Sequence, residues 1–192
     1  MSSAARSLEP VDSDFGCADH FRHPATGVRY AKVLPGELFG TRENLLIVTL
    51  LGSCVAACIR DPEAGIGGLN HFMLPGGSTD TNDPTGNHRY GQSAMDTLIR
   101  CLLSNGAKSE RLEIKLFGGG NMLERGAGDS IGASNVQFVE EYCQAAGLMV
   151  RARDLGKHCP RKIHYNPLDG SVQVKRLAPL YRNIVAKQNN AD

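Results

Sequence analysis

Charge of neither sign dominates this sequence: 21 lysines and arginines stand against 20 aspartates and glutamates, leaving a formal net charge of +1. Apart from a mild basic bias after Arg151 there is no run of like charge, so the basic footprint of a nucleic-acid surface is missing. No apolar stretch approaches the roughly 18–20 residues of a membrane span. The first residues, MSSAARSLEPVDSDFG, lack the apolar core of a secretory signal. These absences predict a cytoplasmic protein that neither inserts into a membrane nor binds nucleic acid. What is present, 192 residues of which 41% are hydrophobic, suits one ordinary domain with a sizeable core.

A reducing compartment leaves Cys17, Cys54, Cys58, Cys101, Cys143 and Cys159 as thiols rather than as a disulfide framework. Metal spacing is lacking as well. Along one strand Cys54 and Cys58 lie about 13 Å apart, too far to share an ion, and His158-Cys159 with His164 matches no tight zinc pattern. Cys101 and Cys143 sit in helix-patterned apolar segments and read as buried thiols. Gly118-Gly119-Gly120 follows a strand, but no Lys-Ser/Thr comes after it as in a nucleotide loop. Close approach of backbone to a site explains the three glycines better.

The chain is organised around Leu45 to Pro75. An aliphatic, β-branched run (Leu45 to Leu51) reaches Gly52, where the backbone can turn sharply before Ser53 and Cys54. A second run, Val55 to Arg60, and a third, Ile66 to Phe72, flank Asp61-Pro62-Glu63-Ala64-Gly65 and predict a β-hairpin. A four-residue loop at Asp61 to Ala64 pairs Arg60 with Gly65 and, further along, Cys54 with His71. Directly opposed residues have Cβ atoms about 4.5–5.5 Å apart, near enough for a thiol and an imidazole to share a proton. The Gly-Ser-Cys turn offers backbone N–H groups for an oxyanion. Thr49 is the nearest hydroxyl to orient the imidazole, with Ser53 as the alternative. A buried cysteine and a satisfied core histidine on one hairpin would look the same by spacing alone.

Elsewhere, residues 1–25 read as a flexible leader, followed by one domain over 26–185 and a flexible tail at 186–192. Val28 to Val33 predicts a strand, turned by Leu34-Pro35-Gly36. The polar stretch after Pro75, GGSTDTNDPTGNHRYG, is long enough for a substrate-contacting loop. Apolar residues from Ala94 to Leu103 recur at helical spacing up to Gly106, and Leu112 to Phe117 alternates as a half-buried strand. Ser134 with Gln137 reads as the capping box of a second helix ended by Gly147. Three strands follow, over 148–153, 161–165 and 171–177.

Gly52-Ser53-Cys54-Val55 with His71-Phe72-Met73-Leu74-Pro75 resembles the motif of the CheD-type chemoreceptor glutamine deamidases. Tyr90-Gly91, Lys115 to Gly120, Ile131-Gly132 before Asn135, and the stretch from Asp154 through Arg161-Lys162-Ile163 to Gly170 resemble the same family in the same order. Gly156-Lys157 stands where a Gly-Gly pair is expected. The resemblance implies an α+β fold, a β-sandwich flanked by helices in α/β/β/α layers, similar to the catalytic domain of the cytotoxic necrotizing factor toxins. It implies a catalytic Cys54, His71 and Thr49, no cofactor and no metal. It implies as substrate glutamine side chains in the cytoplasmic domain of methyl-accepting chemotaxis receptors, converted to glutamate through a thioester. It also implies partnership with a CheC-type phosphatase, and hence the alternative of a binding module that regulates that phosphatase.

Overall fold

The computed structural model describes residues 14–76, 88–121 and 130–178. The chain is mixed α+β. Its strands are β1 (Asp14–Gly16), β2 (Asp19–Arg22), β3 (Arg29–Lys32), β4 (Leu38–Thr41), β5 (Leu46–Leu51), β6 (Val55–Asp61), β7 (Ile66–Phe72), β8 (Glu113–Gly118), β9 (Met149–Leu155), β10 (Arg161–Tyr165) and β11 (Val172–Arg176); α1 (Gly91–Ser104) precedes β8 and α2 (Ile131–Ala145) precedes β9. They form a six-stranded sheet in the order β1-β4-β7-β6-β8-β9 and a five-stranded sheet in the order β11-β10-β5-β3-β2.

Alternation along β6 explains the layering. Val55, Ala57 and Ile59 point to one face, where they meet Ala94, Met95, Leu98 and Leu102 of α1 and Val139 and Cys143 of α2. Ala56 and Cys58 point to the other, where they meet Ile47 and Leu51 of β5, Ile163 and Tyr165 of β10, and Leu69 of β7. Both faces of β6 are therefore buried, consistent with its near-continuous apolar sequence. Both helices cover the six-stranded sheet, and among the described residues the five-stranded sheet carries no second helical layer.

The hairpin is present with a different register. Asp61 pairs with Ile66, so the loop is Pro62 to Gly65 and Arg60 faces Gly67. The cause is Asp61, whose carboxylate accepts from the N–H groups of Glu63, Ala64 and Lys108 and pairs with Arg111. Those bonds hold Asp61 at the strand end and move the turn one residue along. His71 accordingly faces Ala56, not Cys54. The displacement is two residues, an even number, so Cys54 and His71 keep a common face as diagonal neighbours, with Cβ atoms somewhat under about 7–8 Å apart.

Three further expectations change. Residues 14–22, read as leader, form edge strands: β1 pairs with β4 and β2 with β3, supported by an Asp14–Thr41 side-chain hydrogen bond and by Phe21 stacked on Tyr30 with ring centroids 4.9 Å apart. β4 follows the Pro-Gly turn where no strand was expected. The second helix starts a turn early, at Ile131, because the Ser130 hydroxyl accepts from Ala133 N–H at 3.2 Å, while the Ser134 hydroxyl bonds back to the Ser130 carbonyl. Most of the polar loop after Gly76 and the tail at 186–192 lie outside the described residues.

Candidate active site

At Gly52-Ser53-Cys54 the chain leaves the five-stranded sheet and enters the six-stranded one. The turn is fastened through three successive carbonyls. That of Gly52 accepts from Gly120 N–H at 2.8 Å, that of Cys54 from Gly119 N–H at 2.7 Å, and that of Ser53 from the Asn135 carboxamide at 3.0 Å. Gly118 has φ +112, and a Cβ there would lie 2.2 Å from the Cys54 carbonyl oxygen. A Cβ at Gly119, φ +64, would lie 2.2 Å from a methyl of Val136 in α2. The three glycines thus bring a loop, a helix and the cysteine turn together at backbone distance, as expected of them.

Behind this loop lies Arg161, fully buried at the start of β10. Its guanidinium donates to the carbonyls of Gly118, Asp154 and Gly156 and lies 4.0 Å from the Asp154 carboxylate, which together receive a cation taken out of water. Lys157, in the same bend, adopts φ 67, a conformation that favours glycine.

His71 lies on the inner face of the six-stranded sheet and Thr49 on the inner face of the five-stranded sheet. Their side chains meet across the sandwich: Thr49 Oγ1 is 2.7 Å from His71 Nδ1 and 2.7 Å from the Val33 carbonyl. A hydroxyl has one hydrogen to give, and here it goes to the carbonyl. Thr49 must then accept from the imidazole, which fixes the tautomer with the proton on Nδ1 and the lone pair on Nε2. Nε2 is buried and has no hydrogen-bond partner among the described residues. Burial pulls the His71 imidazole down to about 4, against a smaller pull upward from the Val33 carbonyl. Burial also raises the half-buried Cys54 thiol, with its own backbone N–H acting in the opposite direction. Burial thus favours the neutral form of each, and among the described residues no hydrogen bond joins the two side chains.

Of the residues singled out in the sequence, Thr49 and His71 are in contact, Cys54 shares the His71 face two residues along, and Ser53 contributes a carbonyl rather than its hydroxyl. Asn135 and Arg161 were named only within the family resemblance, and their roles at the site were not read. The signal for Asn135 was legible: Gly132, Asn135, Val139 and Cys143 form the buried stripe of α2, and one of the four is polar. Arg161 stood in the sequence only as part of a stretch that resembles the family, and no local pattern gave its role as a buried cation. Among the described residues no three His, Cys, Asp or Glu side chains are grouped to hold a metal ion.

Residues 73–176 match the CheD family, described as CheD chemotactic sensory transduction. A protein of Janthinobacterium sp. (strain Marseille) is 45% identical over 175 residues, covering 86% of this chain and 86% of its own. One of Thiobacillus denitrificans is 48% identical over 159 residues, 82% of this chain and 79% of its own, and one of Bordetella avium 49% identical over 172 residues, 88% and 75%. Each carries the name "Probable chemoreceptor glutamine deamidase CheD". With identities this high over most of both chains, this protein belongs to the CheD family.

Proposed function

We propose that this protein is a cysteine hydrolase of the cytoplasm that deamidates glutamine side chains of methyl-accepting chemotaxis receptors, with Cys54 as nucleophile, His71 as acid and base, and Thr49 as the residue that orients His71. The observation that carries the reading is the Thr49 bridge, which leaves the basic lone pair of His71 on Nε2, on the side of the imidazole away from the hydroxyl that holds it.

In the first step the Cys54 sulfur attacks the glutamine Cδ while its proton passes to Nε2. Because burial disfavours both the thiolate and the imidazolium, the proton moves as the C–S bond forms, not beforehand. The oxyanion takes the N–H groups of Ser53 and Cys54, neither of which donates to a backbone carbonyl among the described residues. Nε2 returns the proton to the amide nitrogen, the C–N bond breaks, ammonia leaves and a thioester remains. Water gives its proton to Nε2, its oxygen attacks the thioester carbon, the C–S bond breaks, and the thiol is restored beside a new glutamate.

The chemistry of the cysteine and histidine supports this reading over the binding module, which needs no buried base. A coupled ammonia assay on a receptor cytoplasmic fragment tests it: release by the wild type and none by Cys54→Ser is expected. No release by either, with equal binding of a CheC-type phosphatase by both, would favour the binding module. The further fold expectation, likeness to the cytotoxic necrotizing factor catalytic domain, is part of the same proposal.

A further inference from the structure

Asn135 is completely buried and polar, set in the apolar stripe that α2 turns toward the sheet. Both hydrogens of its Nδ2 are used, one toward the Ser53 carbonyl at 3.0 Å and one toward the Met73 carbonyl at 2.8 Å. Ser53 immediately precedes Cys54, and Met73 follows His71 by two residues. Both neighbours are carbonyl acceptors, so the amide can only present its nitrogen to them. Its Oδ1 is buried without a partner among the described residues, a state that packing alone does not select.

We infer that Asn135 is a positioning residue: one carboxamide ties the turn bearing Cys54 to the strand end bearing His71 and so sets the path of the thiol proton. The inference rests on the proposed Cys54–His71 partnership and adds what holds the two at working distance. Their register alone leaves them diagonal, and among the described residues the turn's other hydrogen bonds run to the Gly119-Gly120 loop, on its side away from β7. Asn135 supplies the missing cross-tie. It is not needed to dock α2, which is capped by Ser130, packs Gly132 against the backbone of Gly119 and Gly120, sets Phe138 edge-on to Phe72 with ring centroids 5.8 Å apart, and buries Val139 and Cys143. Leucine in its place fills similar volume without either bond. Aspartate turns a carboxylate oxygen toward two carbonyls.

The test is iodoacetamide alkylation of Cys54 in the whole protein, followed by peptide mass spectrometry between pH 6 and 9, together with kcat and KM on a receptor fragment. The variants are Asn135→Leu, Asn135→Asp, His71→Asn, the double variant Asn135→Leu/His71→Asn, and Val139→Ala, which opens a cavity in the same helix away from the turn. Asn135→Leu should alkylate at the slower His71→Asn rate, the double variant should be no slower than either single one, and kcat should fall about a hundredfold with KM within about threefold. Val139→Ala should lose thermal stability and keep the wild-type alkylation profile. Wild-type alkylation and kcat in both Asn135 variants, or losses matched by Val139→Ala, would overturn the inference while leaving the deamidase reading intact. If His71→Asn alkylates like the wild type, the partnership itself fails, and the inference falls with it.

Discussion

Replacing Thr49 with valine keeps the shape of the side chain and removes only the hydroxyl that joins His71 Nδ1 to the Val33 carbonyl. The structure fixes the size of the effect. One hydrogen bond to the carbonyl is lost, worth about 0.5–1.5 kcal/mol, and a buried Nδ1–H loses its acceptor, worth about 1–3 kcal/mol. The sum is about 1.5–4.5 kcal/mol, or roughly 3–18 °C in Tm for a chain of this size. Activity should fall further than stability accounts for. With the tautomer no longer held and the ring free to tilt, kcat should drop about ten- to a hundredfold in the folded protein. Thr49→Ser keeps the hydroxyl and should recover most of both. Thermal unfolding and ammonia release measure the two effects, and the 15N spectrum of His71 reads the tautomer directly, with Nε2 unprotonated in the wild type. A wild-type His71 protonated on Nε2 at neutral pH, or a Thr49→Val protein with full kcat, would refute the reasoning.

The remaining predictions concern pH and backbone. His71 binds a proton near its ordinary 6.5 when unfolded and at about 4 when folded, so the unfolded state gains protons first and stability falls as pH drops from 6.5 to 4, by up to about 1.4 kcal/mol per pH unit. Urea unfolding of His71→Asn should flatten that window and leave a second one, between 3.8 and 2, set by Asp61, which the Arg111 pairing and the Ala64 and Lys108 N–H groups hold at about 2 against the opposing effect of burial. Gly118→Ala places a Cβ 2.2 Å from the Cys54 carbonyl and should abolish activity or folding, whereas Gly65→Ala, with φ +60 and open space around it, should cost about 1–2 kcal/mol with activity intact. Lys157→Gly relieves a left-handed lysine and should raise stability by up to about 1 kcal/mol in thermal unfolding.

The hairpin shows how far a sequence carries such an account. Runs of apolar residues placed β5, β6 and β7 within a residue of their ends, and parity placed Cys54 and His71 on one face even though the turn slipped. The slip came from Asp61, whose grip on the turn depends on Arg111, a residue 50 positions away that no local pattern reveals. The Thr49–His71 contact had the same character. Thr49 lies on the strand that leads to the Cys54 turn, but its meeting with His71 requires the chain to change sheets at Gly52-Ser53-Cys54, which follows from packing, not periodicity. β1 and β2 were illegible because short, exposed edge strands carry little apolar alternation; β2 buries none of its four residues. Ser134 misled because Ser130, one turn earlier, has the same capping chemistry.

The most direct test of the central claim is peptide mass spectrometry of a receptor cytoplasmic fragment incubated in ordinary and in 18O-labelled water with the wild type or with Cys54→Ala. The account expects particular glutamines to gain about 1 Da in ordinary water and about 3 Da in labelled water with the wild type, and neither with the variant, since the new oxygen comes from water that cleaves the Cys54 thioester. Conversion that persists in Cys54→Ala, or receptor glutamines left unchanged by a folded wild-type protein, would contradict it.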